Sequence, residues 1–202
     1  MASNNIIYNT KEINEIILLN ILKMLGRSGL VDNINDVYKS LNITPDTHIY
    51  DLKINKDTIV SVYFVVTKLN SITNGSPLAE YLDNKINIHK IVVAKEVAKK
   101  VVKQIVNEFK NAEIFFESEL LIDIGTVSYI PKHQLLNDDE KKELLSKVPE
   151  RNIAYIYNTD RMAREFNASI GDIFRITRPS IVAGKNIFYR RVINGPWDVL
   201  FE

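Results

Sequence analysis

The feature that most limits the folds open to this chain is the alternation of β-branched runs with helical segments over residues 58–124. Residues 58–66 and 88–94 are short apolar stretches rich in valine and isoleucine, which is typical of buried strands. Between them, Asn74-Gly75 marks a turn, and Ser76-Pro77 supplies a helix N-cap followed by proline at the first helical position. Strands that alternate with helices fold into a central sheet covered by helices, so we predict an α/β layout for this part of the chain.

Further elements lie before and within this segment, and apolar periodicity predicts each of them. Residues 27–57 otherwise read as polar and irregular. The first predicted helix follows an N-cap at Asn9 and ends near Gly26. The remaining elements predicted before residue 128 are helices at 37–41 and 95–109 and strands at 113–116 and 119–124.

Composition excludes several classes of protein. The 202 residues contain no cysteine, 46% are hydrophobic and 25% are charged, and the formal net charge is +1. A chain of this size buries a core without help, and the lack of cysteine excludes disulfide scaffolds, thiol catalysis and cysteine-ligated metals. The first twenty residues do not form a signal peptide, and no apolar run reaches the ~18 residues of a membrane span. We therefore expect an intracellular protein that makes no contact with membranes.

The alternation of strands and helices ends near residue 128, which predicts two domains, 1–128 and 129–202. Asn137 precedes three acidic residues, which is the pattern of an N-cap with acids in the first helical turn, and Pro149 ends this helix. Strands are expected at 153–157, 172–177 and 188–193, with a short helix at 160–166. These elements predict a small α+β second domain.

Arginine is concentrated in the second domain, whereas the first domain uses lysine almost exclusively. Arginine donates forked, geometrically fixed hydrogen bonds, while lysine carries a solvated point charge. Two explanations stay open: drift in residue usage, or a domain built to bind carboxylates of a partner protein. Arg27 is in the first domain, and the other seven of the eight arginines are at positions 151, 161, 164, 175, 178, 190 and 191.

The sequence contains no recognisable catalytic constellation. His48, His89 and His133 lack metal-ligand spacing, and there is no glycine-rich phosphate loop or G-x-S-x-G elbow. We therefore predict no catalytic residue, no metal and no cofactor. One alternative is the D-x-K spelling at Asp51 and Asp83, which Mg²⁺-dependent nucleases use but which a charged chain also contains by chance.

Four lysines at the predicted helix 95–109 form the most DNA-like feature of the first domain: Lys95, Lys99, Lys100 and Lys103. They are either the solvated polar face of an amphipathic helix or a set of phosphate contacts. Because the first domain is nearly neutral overall, we expect weak and non-specific contact with double-stranded DNA at most.

Several segments of the second domain match a known family in order and at similar spacing over residues 130–193. They are Ile130-Pro131-Lys132-His133, the acidic helix start at 138–140, the run Gly171-Asp172-Ile173-Phe174-Arg175-Ile176-Thr177-Arg178-Pro179-Ser180, Ala183-Gly184 and Tyr189-Arg190. This pattern resembles the assembly domain of the fifth common subunit of eukaryotic-type RNA polymerases, a family that has shorter relatives in archaeal polymerases. Divergence from cellular members favours a member encoded by a large DNA virus.

The resemblance implies a non-catalytic structural subunit of a multisubunit DNA-directed RNA polymerase. Residues 1–128 would be a jaw domain with a nuclease-like α/β fold near the downstream DNA duplex. Residues 129–202 would be an assembly domain that docks on the largest polymerase subunit, among the other subunits. The protein would act wherever that polymerase acts, whether nucleus, host cytoplasm, viral factory or virion.

The resemblance also implies which residues bind the partner. Arg175 and Arg178 are three positions apart, so on an extended strand they point to opposite faces and at most one meets the partner directly. The implied partner-binding residues are Pro131, Lys132, His133, Arg175, Arg178, Pro179, Ser180, Gly184, Tyr189 and Arg190.

Two other functions remain as alternatives. A free-standing DNA-binding protein would be retained on DNA by itself in a salt-dependent way. A Mg²⁺-dependent nuclease would lose cleavage when Asp51 or Asp83 is replaced by alanine.

Overall fold

A computed structural model describes residues 10–44, 46–55, 58–84, 88–109, 111–180 and 184–201. The chain divides into two compact units between Ile122 and Asp123, a few residues before the boundary predicted near residue 128. Each unit contains a four-stranded mixed sheet with helices, so the fold is α+β. Within the described ranges, no helix has the length and apolar character needed to cross a membrane.

The N-terminal unit is built on one sheet with the strand order β1-β2-β3-β4. Strand β1 pairs antiparallel with β2, whereas β2, β3 and β4 run parallel. The predictions for the last three strands are confirmed to within one or two residues. The strands are β1 (Ile49–Lys53), β2 (Ile59–Val65), β3 (His89–Ala94) and β4 (Ala112–Phe116).

Strand β1 lies in the stretch that the sequence predicts to be irregular. Its burial alternates strictly: Tyr50 and Leu52 are buried, while Ile49, Asp51 and Lys53 are exposed. Only two of its five side chains therefore carry an apolar signal towards the core, which is too short a pattern to stand out in a polar segment.

Helices cover both faces of this sheet, as the α/β pattern predicts. On one face, α1 buries Ile17 and Ile21 against Val62 of β2 and Ile91 of β3. On the opposite face, the Tyr81 ring of α3 lies 4.9 Å from the Tyr63 ring of β2. The helices of this unit are α1 (Thr10–Arg27), α2 (Ile34–Lys39), α3 (Pro77–Asp83), α4 (Lys99–Glu108) and α5 (Glu117–Leu120).

Of the two helix caps predicted in this unit, the cap at Ser76 lies within the described residues. The side chain of Ser76 accepts a hydrogen bond from the Ala79 backbone at 3.2 Å, with Pro77 following in the first helical turn, so this N-cap is confirmed. The predicted cap of the first helix, Asn9, lies outside the described residues.

The prediction that the lysine-bearing helix begins at Lys95 is wrong, because α4 begins at Lys99. The backbone just before it bonds to Leu69 instead: Leu69 donates to the Glu96 carbonyl, and the Ala98 amide donates to the Leu69 carbonyl, both at 2.9 Å. Ala98 keeps an extended conformation as the N-cap of α4. A pairing with a residue far away in sequence therefore overrides the local helical pattern.

The strand predicted at Glu119–Ile124 is also wrong. The Glu119 carboxylate accepts a hydrogen bond from the Phe116 backbone at 2.8 Å and starts the helical turn α5. The Asn20 side chain of α1 donates to the Leu120 carbonyl at 2.8 Å and ties this turn to the first helix. A short 3-10 turn at Ile124–Thr126 follows.

The C-terminal unit has a sheet with the strand order β5-β7-β8-β6. Strand β7 pairs antiparallel with both β5 and β8, and β6 runs parallel to β8. The strands are β5 (Lys132–Leu135), β6 (Ala154–Tyr157), β7 (Ile173–Ser180) and β8 (Gly184–Ile193), and the helices are α6 (Asp138–Lys147) and α7 (Arg161–Glu165). Both predicted helices and the β6 strand are confirmed to within one or two residues.

Two strand predictions in this unit need correction, and one strand was missed. Strand β5 was not predicted, and both β7 and β8 are longer than predicted, since Ser180 pairs with Gly184 across the hairpin. Pro179 and Gly184 thus belong to the two strands rather than to a connecting loop. Proline is tolerated here because this end of β7 has no third strand among the described residues.

The core of the C-terminal unit lies between α7 and one face of its sheet. Phe174 and Ile176 of β7 pack with Val192 of β8 and with Met162 and Ala163 of α7, and all five are buried. The Phe166 ring after α7 meets the Phe174 ring edge-on at 5.5 Å between centroids. These contacts fix the sheet face on which each of the predicted site residues lies.

Replacing Asn137 with alanine should lower the free energy of unfolding by about 1 kcal/mol, measured by urea denaturation. The Asn137 side chain accepts from the Glu140 backbone at 2.9 Å, and the Glu140 carboxylate accepts from the Asn137 backbone at 3.1 Å. The exposed Lys142→Ala on the same helix serves as the control, with an expected change of at most ~0.5 kcal/mol. Equal effects of the two variants would contradict the cap.

Replacing Gly195 with alanine should destabilise the C-terminal unit by about 1–3 kcal/mol, because the added carbon overpacks a filled site. A Cβ on Gly195 would lie 2.5 Å from Cβ of Tyr157 and 2.8 Å from Oγ1 of Thr159. The neighbouring exposed Asn194→Ala should leave the urea midpoint unchanged. An unaltered midpoint for Gly195→Ala would show that the segment after β8 does not pack on Tyr157.

Candidate partner interface

The residues predicted to bind a partner gather on the three adjacent strands β5, β7 and β8. Pro131 directly precedes β5, which carries Lys132 and His133. The others are Arg175, Arg178, Pro179 and Ser180 on β7 and Gly184, Tyr189 and Arg190 on β8.

The register of the hairpin divides these side chains between the two faces of the sheet. Arg175 is opposite Tyr189, and Phe174 is opposite Arg190, so each of these two pairs shares a face. Since side chains alternate along β7, Arg175 and Arg178 point to opposite faces, as the sequence spacing predicts.

Arg175 is engaged within its own unit. Its guanidinium donates to a carboxylate oxygen of Glu140 on α6 at 2.9 Å. A hydrogen bond with the Tyr189 side chain, and then the contact with Glu140, raise the pKa of Arg175 above its ordinary value. Arg191 is paired in the same way with Glu150, at 2.7 Å. These side chains hold α6 and the segment after it against the sheet.

His133 is a packed structural residue on the core side of β5. Its ring meets Phe174 edge-on at 5.8 Å between centroids, and its Nδ1 lies 2.7 Å from the Pro131 carbonyl oxygen. Burial lowers the pKa of the imidazole below its ordinary value, and it outweighs the hydrogen bond with Pro131, which raises it. Because a carbonyl oxygen can only accept, Nδ1 is the donor in the bond with Pro131.

The outer end of the hairpin is a two-stranded arm formed by Arg178–Ser180 and Gly184–Asn186. Strand β5 pairs only as far as Thr177, so the arm extends beyond the third strand. Arg178 is exposed, and its guanidinium lies over the Phe188 ring, 5.3 Å from the centroid. Phe188 itself is 43% exposed, so this cation–π pair faces outwards.

A cleft of about 650 Å³ lies between the base of this arm and the chain that leads into β5. We call it the Tyr129 cleft, after the 86% exposed tyrosine on its wall. Its lining includes Tyr129, Pro131, Lys132, Arg178 and Pro179. Four of the predicted residues thus share one concave surface that carries two cations.

The four lysines of the N-terminal unit are all exposed, but only three lie on one helix. Lys99, Lys100 and Lys103 are on α4, opposite its buried residues Val101 and Ile105. Lys95 lies in the segment that precedes the helix.

The two D-x-K aspartates do not form a metal site with each other. The Asp51 carboxylate accepts a hydrogen bond from the Ser61 hydroxyl at 2.7 Å on the sheet, whereas Asp83 ends α3. In the described part of the chain, no group of three histidine, aspartate or glutamate side chains is placed to hold a metal ion. The buried Lys90 donates instead to the Leu82 carbonyl, and burial lowers its pKa.

Sequence reasoning missed residues that shape the surface. Glu140 and Glu150 neutralise two arginines from positions 35 and 41 residues away. Such pairs leave no local signal. Phe188 was predicted only as a strand residue, and Tyr129 only as part of a boundary. The proximity of Tyr129 to Pro131 and Lys132 in the sequence is the one signal that could have indicated the cleft.

Comparison with known families agrees with this organisation. The family model described as "RNA polymerase Rpb5, C-terminal domain" matches residues 122–192, which correspond to most of the C-terminal unit.

Similarity to individual proteins extends over more of the chain. DNA-directed RNA polymerase subunit 5 of Acanthamoeba polyphaga mimivirus is 28% identical over 190 residues, which cover 89% of this chain and 91% of that protein. The Dictyostelium discoideum subunit rpabc1 of DNA-directed RNA polymerases I, II and III is 32% identical over 138 residues, or 65% of this chain and 70% of that protein.

The archaeal match is confined to a shorter segment. DNA-directed RNA polymerase subunit Rpo5 of Archaeoglobus fulgidus is 39% identical over 66 residues, which cover 32% of this chain and 87% of that protein. A viral, a eukaryotic and an archaeal polymerase subunit are therefore all similar to this chain, and the chain belongs to the RNA polymerase subunit 5 family.

Proposed function

We propose that this chain is a non-catalytic structural subunit of a multisubunit DNA-directed RNA polymerase, docked on the largest subunit through its C-terminal unit. The observation that carries the proposal is the similarity to a polymerase subunit along 89% of the chain. The exposed cations and aromatic ring at the hairpin end support it, since arginine and aromatic residues are enriched in protein interfaces.

For the N-terminal unit, we propose the role of a jaw beside the downstream DNA duplex, with a nuclease-like sheet that performs no catalysis. Parallel strands with helices on both faces support the comparison with such folds. The exposed lysines of α4, with Lys95 beside them, would give salt-sensitive and sequence-independent attraction to phosphates. The subunit would then act inside the cell, wherever its polymerase transcribes.

Purification of the N-terminally tagged full chain from its native setting should recover two very large polymerase subunits in amounts near those of the tagged chain, measured by mass spectrometry. A structural subunit is held by a permanent interface, so recovery should survive moderate salt. Recovery of the chain without large subunits at low salt would overturn the proposal. Retention on DNA without them would favour the free-standing DNA-binding alternative.

Replacing Lys95, Lys99, Lys100 and Lys103 together with alanine should leave assembly intact and weaken polymerase–DNA complexes at moderate salt. The slope of log affinity against log salt is negative, and it should become less negative by about 0.9 for every phosphate that no longer has a lysine beside it. The measurement is the DNA affinity of the assembled enzyme between ~50 and ~300 mM KCl.

A matched control removes four other exposed lysines of the same unit: Lys11, Lys39, Lys53 and Lys68. This control has the same change in net charge but leaves α4 intact, so it should retain the wild-type slope. If both quadruple variants, or neither of them, change the slope, the placement of DNA beside α4 is wrong.

A further inference from the structure

The three strands β5, β7 and β8 contain no acidic residue, although they carry six lysines and arginines in total. An acid-free run extends from Ile173 to Trp197 in the sequence. The cations of these strands are Lys132, Arg175, Arg178, Lys185, Arg190 and Arg191.

The unit neutralises only part of this charge. Arg175 and Arg191 are paired with Glu140 and Glu150, which come from outside the sheet. The other four cations of the three strands have no ion-pair partner among the residues that the structure describes. Like charges left together on one element repel each other, so a carboxylate-bearing partner would relieve this repulsion.

Three of these remaining cations lie towards the outer end of the hairpin, whereas Arg190 lies farther back, opposite Phe174. Lys132 and Arg178 line the Tyr129 cleft, and Lys185 is on the arm opposite Pro179. Arg190 is close enough to His133 to lower its pKa together with Arg178. A two-stranded ribbon is marginally stable alone, so an arm of this kind gains most from being covered.

The walls of the cleft favour a polypeptide over a nucleic-acid backbone. Tyr129, Pro131 and Pro179 contribute apolar surface beside the two cations. Outside the cleft, Phe188 on the neighbouring strand is 43% exposed and lies on the same sheet face as Arg178. A phosphate backbone is bound mainly by cations and hydrogen-bond donors, whereas an interface with a protein buries apolar groups beside arginines. The Arg178 guanidinium, which lies over the Phe188 ring, is a forked donor of the kind that suits a carboxylate.

We infer that the Tyr129 cleft and the adjoining arm are the docking site for an extended acidic segment of another protein chain of the polymerase. Carboxylates of that segment pair with Lys132 and Arg178, and its apolar side chains cover Tyr129 and the two prolines. Arg175 and Tyr189, by contrast, hold α6 in place and do not contact the partner. This docking role rests on the proposed function, and it means that the docking surface recognises carboxylates beside apolar side chains.

The first experiment reverses the charge of the cleft in the full-length tagged chain. Lys132→Glu with Arg178→Glu should lower recovery of the large polymerase subunits at least ~10-fold at ~300 mM KCl, because two charge pairs become repulsive. The matched control is Lys141→Glu with Arg151→Glu, which makes the same charge change on two cations of the unit that lie outside the cleft and have no ion-pair partner among the described residues.

The control should retain wild-type recovery, and the thermal unfolding midpoints of both double variants should match the wild type. Equal recovery for the two double variants would overturn the inference while leaving the proposed function in place. If the wild-type chain itself recovers no polymerase subunit, the result contradicts the proposed function and not only the inference about the cleft.

The second experiment identifies what occupies the cleft. Tyr129 is replaced with p-benzoylphenylalanine, a photo-crosslinking residue of similar shape, and the assembled polymerase is irradiated. The control position is Tyr155, which is 58% exposed on the edge strand β6. We expect residue 129, and not residue 155, to crosslink to a segment of a polymerase subunit with an excess of aspartate and glutamate. A crosslink to DNA, to a neutral or basic segment, or no crosslink would each overturn the inference.

Discussion

The antiparallel pairing of β7 with β8 is the constraint on which the rest of the C-terminal unit depends. It joins eight residue pairs from Ile173 with Arg191 to Ser180 with Gly184. Because opposite residues share a face, this register sends Phe174 into the core with α7 and places Arg175 beside Tyr189 under α6. A shift by one residue would exchange these faces and place a charged guanidinium in the core. The same register determines how far the hairpin extends beyond β5, and so creates the exposed arm.

Charge compensation within the unit separates structural arginines from those available to a partner. Glu140 and Glu150 reach the sheet from α6 and from the segment after it, and each neutralises one arginine. Partly exposed pairs of this kind contribute little stability, so their main effect is to orient α6 over one sheet face. No carboxylate of the described residues reaches Arg178 or Lys132. The surface that stays cationic is therefore the surface that continues into the Tyr129 cleft, which is where a partner gains most from supplying acids.

The N-terminal unit has a different packing requirement, because its parallel strands must be covered on both faces of the sheet. Helix α1 covers one face, and α3 lies on the other. Helix α4 begins only at Lys99 because residues 96–98 first pair with Leu69, and the helix starts where this pairing ends. Its lysines are exposed because Val101 and Ile105 occupy the side that packs. Exposure of this kind follows from amphipathic packing alone.

Local patterns in the sequence determined the strands at 58–66 and 88–94 and the helix cap at Ser76, because β-branched runs and capping side chains act on their own neighbours. They also determined the opposite directions of Arg175 and Arg178, since strand geometry alternates side chains regardless of context. Only the tertiary structure decided that Lys95 lies outside the helix, that β5 pairs with β7, and which arginines acquire a carboxylate. Each of these depends on residues far apart in sequence, such as Glu140 and Arg175. The interaction between two such residues stabilises the protein only after folding has brought them into contact.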